Sequence, residues 1–325
     1  MGVKIIKTGR KVPHKKVTNF DLEKILDTTN EWIKDRTGII NRHISTNETS
    51  SSLAIEACQE LIKDKDINLS EIGLIICATM TPDTLIPTVA ANVKKALKIE
   101  HSITFDINVA CSGFLYAVSV AESMMKNLNI KKGIVVGVDL NSQLVDWKDR
   151  GTAIVFGDGA GSVLLSSEKN SDSGILSTFL DNIDDNDNSL ILKNISYKTP
   201  FNNLENEYEF FKLEMLGPKV MKFAINAINT SILSVIKSSN ISLDKIKYII
   251  PHQANQRIID AAVKNLKIPN EKFYINIDNY ANTSAGSIPI ALDELNKNNL
   301  LKKGDYIILV GFGGGLSFGA ILLKW

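Results

Sequence analysis

Two stretches of this chain follow the same plan of spacing. Apolar runs at Ile75, Phe105 and Ile134 are matched by runs at Ile249, Tyr274 and Ile307, and the outer separations differ by a single residue. In each stretch the middle run leads into a turn of small residues and then into a stretch of helical character. The turns are Ala110-Cys111-Ser112-Gly113 and Asn282-Thr283-Ser284-Ala285. Self-similarity of this kind marks a repeated supersecondary unit, here a βα plan used twice. Pairing the two units brings the ends of equivalent strands to one junction, which sets Cys111, His252 and Asn282 around a single cleft. The expected organisation is a half of residues 1–172 carrying Cys111 and a half of residues 173–325 carrying His252 and Asn282, fused in one compact unit.

The rest of the chain alternates amphipathic helices with short β-branched runs, the pattern of an α/β fold with covered sheets. Leu53, Ala57 and Leu61 recur at helical spacing. Leu74-Ile75-Ile76, Ile134-Val135-Val136, Ile154-Val155-Phe156, Val163-Leu164-Leu165, Tyr248-Ile249-Ile250 and Tyr306 to Val310 read as buried strands. Gly157 to Gly161 reads as a tight turn between strands. Pro218, after Gly217, suits the first turn of a long helix whose apolar face includes Val220, Phe223, Ala227 and Ile228. Tyr306 to Leu323 carries no charge and approaches the length of a spanning helix. Its five glycines favour a strand, a glycine turn and a second strand instead. Asp181 to Ser189 and Asn194 to Glu207 are polar and aperiodic, and read as a surface connection.

Composition removes several function classes. At 325 residues and 44% hydrophobic, the chain can bury a large core. Its 37 basic and 36 acidic residues leave a net charge of +1, without the broad basic field that nucleic acid or an anionic membrane requires. Cys58, Cys77 and Cys111 are an odd number with no disulfide or metal-ligand spacing, and the N-terminus lacks a secretory pattern. A reducing cytoplasm is expected.

Cys111 lies where an extended run gives way to a helical one, so it faces free N–H groups and a dipole that favour thiolate. A lone cysteine is more often a buried structural thiol, the reading that holds for Cys58 and Cys77. His252 ends the strand Tyr248 to Pro251, at the carboxyl edge where α/β folds gather ligands; its structural and functional readings both stand. His14, His43 and His101 read as surface residues. Asn282 to Ser287 is a polar turn before the helix Ile288 to Leu295, and capping alone would explain Thr283 and Ser284. Gly311-Phe312-Gly313-Gly314-Gly315 permits close backbone approach and could present N–H groups to an oxyanion.

Six blocks are more specific together than apart: Thr29 to Ile33 with Arg36 to Ile39; Ala110 to Phe114; Asp149-Arg150-Gly151 with Gly157 to Gly161; Pro251 to Asn255; Asn282 to Ala285; and Gly311 to Gly315. With them the chain resembles the β-ketoacyl-acyl carrier protein synthase III family, the initiating condensing enzymes of type II fatty acid synthesis, from near its N-terminus to Trp325. The resemblance implies a thiolase-like fold of two related βα halves in an α-β-α-β-α body. It implies Cys111, His252 and Asn282 as catalytic groups, with the backbone N–H groups of Cys111 and Gly314 as an oxyanion site. Acyl-coenzyme A would load Cys111 and malonyl-acyl carrier protein would be condensed with it, both as substrates, with no cofactor or metal.

The same resemblance implies coenzyme A or substrate binding by Trp32, Arg36, Arg150 and Phe312, and carrier-protein docking at Lys222, Arg257 and Lys264. It implies a homodimer in which Ile86, within Leu85-Ile86-Pro87, helps shape the acyl pocket. Trp32 could instead anchor the core, and Arg36 could pair with Asp35 or Glu31. Departures from the family pattern include Ala281 and Gly286, where Gly and Ala are commoner, and Leu316-Ser317-Phe318 after the glycine run. Two rivals remain: a relative that handles unusual acyl groups in secondary metabolism, and a non-catalytic partner subunit on the same fold.

Overall fold

The computed structural model describes residues 2–64, 66–168, 173–193 and 212–325. The expected division after residue 172 falls at residues 169–172, and Asn194 to Glu207 also lies outside the described residues.

Two mixed sheets dominate. The first runs in the order Gly2–Lys11, Asp158–Glu168, Lys132–Leu140, Ile72–Ala78, Ile103–Ile107, and the second in the order Gly174–Asn182, Ser317–Lys324, Tyr306–Gly313, Ile246–Pro251. In the first, Ile72–Ala78 is parallel to both of its neighbours and the remaining pairs are antiparallel. In the second, Ile246–Pro251 is parallel to Tyr306–Gly313 and the rest are antiparallel.

The apolar runs follow from having both faces covered. Side chains alternate across a strand, so Leu74 and Ile76 enter a central core while Ile75 and Cys77 enter an outer one. Ile307 and Leu309 likewise face the centre, and Ile308 and Val310 face outward. The central core is filled by two helices, Gly113–Asn127 and Ser287–Lys297, lying between the sheets. Helices Ser50–Leu61 and Val89–Ala96 cover the first sheet from outside; Gly217–Ser239 and Gln256–Leu266 cover the second. The result is the five-layer α-β-α-β-α body of the thiolase fold. Each fully buried Leu or Ile in these layers contributes roughly 1.5–3 kcal/mol relative to exposure.

Three of the outer helices carry side-chain caps, Thr49, Thr88 and Asn255 each accepting a first-turn N–H, while Gly217–Ser239 starts at Gly217-Pro218 without one. The two central helices do not: neither Ser112 nor Gly286 makes a side-chain cap bond.

Several expectations need correction. Ile154-Val155-Phe156 is not a strand; it follows the short helix Arg150–Ala153 and makes one isolated bridge, Phe156 to Asn282. Its apolarity comes from burial in a separate cluster with Leu22, Ile33 and Leu213. Gly157 to Gly161 is not a tight turn, because Asp158 already begins the strand Asp158–Glu168. Its glycines answer to a close crossing: a Cβ on Gly161 would lie 2.6 Å from Ile290 N and 2.7 Å from Pro289 C. The run at Tyr274 forms no strand. Tyr274 N bonds Ile249 O, Phe273 makes an isolated bridge to Ile249, and the Gln253 side chain then takes Asn276 N in place of a ladder.

Asp181 and Asn182 belong to a strand, paired with Phe318 and Ser317, so the connection starts only at Ile183 and its Ser189 is buried. His43 is half-buried, its Nδ1 hydrogen-bonded to Pro13 O at 2.8 Å and its ring stacked on Tyr280; His14 and His101 are exposed. Tyr306–Gly313 and Ser317–Lys324 form the expected hairpin, turning at residues 314–316 with Gly315 and Leu316 at positive φ. Among the described residues no helix is long and apolar enough to cross a membrane.

Candidate active site

The carboxyl ends of the parallel strands of both sheets meet at a cavity of about 1300 Å³ lined by Cys111, His252 and Asn282 together. Cys111 occupies the short helical turn Ala110–Ser112 that feeds the central helix Gly113–Asn127, and Ala110 holds the left-handed φ of 45° needed to enter it. The hairpin from the other sheet presses on this turn. A Cβ on Gly313 would come within 2.8 Å of Cys111 N and 2.9 Å of Ser112 N, and Ser112 Oγ meets Ser317 Oγ at 2.7 Å.

Burial opposes the thiolate that the helix terminus was expected to favour. Cys111 is buried, and desolvation of the charged form pushes the thiol up to about 12. The Ser284 hydroxyl offsets part of that and the negative charge of Asp139 adds to it.

His252 follows the strand Ile246–Pro251, its N–H donating to Val310 O at 2.8 Å. Its Nδ1 shares a 2.6 Å hydrogen bond with Ser287 Oγ, and its ring meets Phe312 edge-on at 5.1 Å. Desolvation lowers the imidazole to about 3, so the ring is neutral at ordinary pH. Asn282 is fixed by its backbone, its N–H donating to Val155 O and its C=O accepting from Gly157 N. Its Oδ1 accepts from Ser284 N at 2.8 Å, which commits the carbonyl end and leaves the amide N–H₂ as the donating end. Capping accounts for that single bond; the central helix beyond it is uncapped by any side chain.

The other candidates divide. Trp32 and Arg36, on helix Asn30–Thr37, line the cavity, and Arg36 forms no ion pair among the described residues. Arg150 stands outside the lining but places its guanidinium 4.5 Å from the centre of the Trp32 ring, with Arg36 at 5.6 Å. Phe312 lines the same cavity, buried beside His252 and Phe223. Gly314 lines the cavity next to Gly313. Arg257 also lines it, its Nε donating to Asp35 O, while Lys222 and Lys264 are exposed on two helices packed together. Ile86 is 88% exposed and absent from the lining, although Leu85 contributes to it.

Sequence reasoning missed Ser287, Ser284 and Asp139. The capping reading covered Ser284, Ser287 stood only as the end of that polar turn, and Asp139 is the penultimate residue of an apolar strand, where one acidic residue in the run Ile134 to Leu140 was the available signal.

A cysteine at the head of a central helix, sharing a cavity with a neutral imidazole and an asparagine amide on this five-layer fold, defines a thiolase-fold acyltransferase of the condensing type. Two family models match the chain: 3-oxoacyl-[acyl-carrier-protein (ACP)] synthase III over residues 105–182, and the C-terminal model of the same family over residues 236–325. The β-ketoacyl-[acyl-carrier-protein] synthase III of Clostridium novyi is 44% identical over 323 residues, spanning 99% of each chain. That of Clostridium acetobutylicum is 43% identical over 323 residues, spanning 99% of this chain and 98% of its own. The crystal structure of 3-oxoacyl-[acyl-carrier-protein] synthase III from Aquifex aeolicus superposes with a TM-score of 0.92 at 39% identity, covering 100% of both chains. The chain belongs to the β-ketoacyl-acyl carrier protein synthase III family.

Proposed function

We propose that Cys111, His252 and Asn282 carry the chemistry by which this condensing enzyme initiates type II fatty acid synthesis. The observation that supports the roles is their convergence: three side chains from well-separated stretches of the chain line one cavity, and burial keeps the histidine neutral.

In the first stage Cys111 Sγ attacks the carbonyl carbon of an acyl-coenzyme A thioester. The tetrahedral oxyanion accepts hydrogen bonds from the backbone N–H groups of Cys111 and Gly314, and its collapse expels coenzyme A and leaves an acyl-cysteine. In the second stage malonyl-acyl carrier protein loses carbon dioxide. Charge then develops on its thioester oxygen, where His252 Nε2–H and the Asn282 amide donate. A Ser287 hydroxyl donating to Nδ1 keeps the ring proton on Nε2. The enolate carbon attacks the acyl-cysteine, the Cys111 thiolate leaves, and a 3-oxoacyl product departs on the carrier protein. Donors preorganised in a buried site cost no reorganisation as charge develops, and each is worth about two to three orders of magnitude in rate.

Trp32, Arg36 and Arg150 grip coenzyme A at the mouth, Arg150 lifting from the Trp32 face to admit the adenine between them. Phe312 packs His252 and borders the acyl chain. Lys222, Arg257 and Lys264 receive the acidic carrier protein. The enzyme works as a homodimer. In support, Ile103–Ile107 is an unpaired edge strand of the first sheet, with the exposed Leu85 and Ile86 available to a second copy's acyl pocket. Residues 1–172 and 173–325 are its two related halves. Three free cysteines fit a reducing cytoplasm, and the reaction as written uses no cofactor or metal.

The test is intact-mass measurement after incubation with a panel of acyl-coenzyme A thioesters. The wild type gains one acyl mass and Cys111→Ala gains none, while His252→Ala and Asn282→Ala load but condense about a hundredfold slower or worse. An acyl adduct that persists in Cys111→Ala would sink the assignment.

A further inference from the structure

Asp139 is a fully buried carboxyl that the chemistry above does not use. It is the penultimate residue of the strand Lys132–Leu140. Its Oδ1 accepts from Met80 N at 2.8 Å and from the Thr79 and Thr81 hydroxyls at 3.2 and 3.3 Å; Oδ2 accepts from Ala285 N at 3.2 Å. The two hydroxyls themselves accept from Thr81 N and Leu140 N, which leaves their protons for Asp139. A carboxylate suits such a convergence of donors because both of its oxygens only accept.

Each oxygen holds a different piece of the cavity. Oδ1 ties down the segment after the strand Ile72–Ala78, where Met80 lines the wall. Oδ2 holds Ala285, in the turn that follows Asn282. That turn does not rest there by its own preference: Ala281 and Ser284 have φ of 56° and 51°, left-handed values that are costly for an L side chain. Such a conformation persists only where the surroundings enforce it. Asn282 N donates to Val155 O, and Asn282 O accepts from Gly157 N and, at 3.3 Å, from Asn141 Nδ2. Beyond it, Ser284 N turns back to Asn282 Oδ1 and Gly286 N to Thr283 O, and Ala285 N between them reaches out of the turn to Asp139. Ser284 N thus aims the Asn282 amide, and Asp139 fixes the next peptide group along. The same strand presses on Ala285 from its carbonyl side, since a Cβ on Gly137 would stand 2.2 Å from Ala285 O.

We propose that Asp139 is a positioning residue for Asn282: its carboxylate pins the Asn282 turn to the first sheet, so that the amide N–H₂ stands where charge develops on the malonyl thioester oxygen. This rests on the reading of Asn282 as a donor in decarboxylation. Asp139 itself stays outside the cavity lining and acts through Ala285 and Ser284.

Asp139→Asn tests this at constant size. The amide oxygen keeps the Met80, Thr79 and Thr81 donors, while the new N–H₂ opposes Ala285 N–H, donor against donor. Decarboxylation of malonyl-acyl carrier protein should lose about tenfold or more in kcat with KM within about twofold, because the Asn282 donor acts only as charge develops. Single-turnover loading of Cys111 by acyl-coenzyme A, read by intact mass, should stay within a few fold of wild type. Asp139→Glu restores both acceptors and should recover most of the lost kcat. Asp139→Ser, which leaves room for water at Ala285 N–H, carries the same expectation as Asp139→Asn should that variant not fold. In the Asn282→Ala background, Asp139→Asn should add no more than about twofold, since the group it positions is gone. Asp139→Asn decarboxylating at the wild-type rate overturns the inference and leaves Asn282 as donor intact. Equal losses in loading and decarboxylation, an undiminished effect in the Asn282→Ala background, or no rescue by Asp139→Glu overturns it as well, because Asp139 would then serve the fold alone. Asn282→Ala decarboxylating at the wild-type rate removes the reading beneath it and the inference with it.

Discussion

Replacing Gly313 by alanine tests how tightly the second sheet defines the nucleophile. The added Cβ would stand 2.8 Å from Cys111 N and 2.9 Å from Ser112 N, against 3.4 Å for ordinary contact. Both obstacles are backbone, so no side chain can rotate away, and the hairpin and the cysteine turn must part by about 0.6 Å. Overpacking of this kind typically costs about 1–3 kcal/mol of stability. A displacement of about 1 Å at a reacting group can cost about a hundredfold in rate, so 0.6 Å should cost about tenfold or more in acylation, near 1.4 kcal/mol of barrier. Gly314→Ala is the matched control, since its Cβ would find only ordinary contacts at 3.5 and 3.7 Å and its backbone N–H survives. Single-turnover acylation and urea unfolding are measured on both. Gly313→Ala loading at the wild-type rate while Gly314→Ala fails would refute the argument, because the hairpin would then matter for space at residue 314 and not at the cysteine turn.

His252 offers a pH prediction. Its folded value of about 3 lies below the ordinary 6.5, so the unfolded chain binds the extra proton. Its contribution to stability is thus complete above about pH 6.5 and is lost as the pH falls toward 3, at about 1.4 kcal/mol per unit. His252→Gln should flatten the stability profile across that window by one proton, as read by denaturant titration at stepped pH; an unchanged slope would mean the imidazole is not buried. Ser287→Ala removes the partner of Nδ1 and should slow decarboxylation about tenfold while leaving Cys111 acylation near wild type, and equal losses in both would assign Ser287 to the fold alone. Trp32→Ala should raise the KM for acyl-coenzyme A several fold with kcat nearly kept, and a kcat loss at unchanged KM would contradict its place at the cavity mouth.

Much of the fold was legible because burial on both faces leaves unmistakable apolar runs, as at Leu74-Ile75-Ile76 and Ile307-Ile308-Leu309. Where burial arises without a ladder, the same signal misleads. Ile154-Val155-Phe156 packs in the separate cluster with Leu22 and Ile33, and after one bridge at Phe273 the next backbone N–H to bond across, at Asn276, goes to the Gln253 side chain. Glycine misled in the opposite sense at Gly157 to Gly161, where the residue serves a helix crossing a strand. At the site, residue types and turn positions were readable, because strand ends and small-residue turns are local features. The thiol's elevated pKa was not, since desolvation depends on everything packed around Cys111, nor were Ser287 and Asp139, whose importance lies entirely in what they touch across 35 residues of chain or between the halves.

The two uncapped central helices have a further consequence. Gly113–Asn127 and Ser287–Lys297 both begin next to residues of the cavity wall, and a helix N-terminus concentrates about half a positive charge from its aligned peptide dipoles. The site therefore draws a malonyl carboxylate, and later the enolate, with an electrostatic field that belongs to the main chain. No point substitution can delete such a field, and no change of pH can titrate it. Specificity for one acyl group over another can drift through the side chains of the cavity wall while the attraction for the negatively charged partner stays fixed, which gives the architecture room to change its substrate without surrendering its reaction.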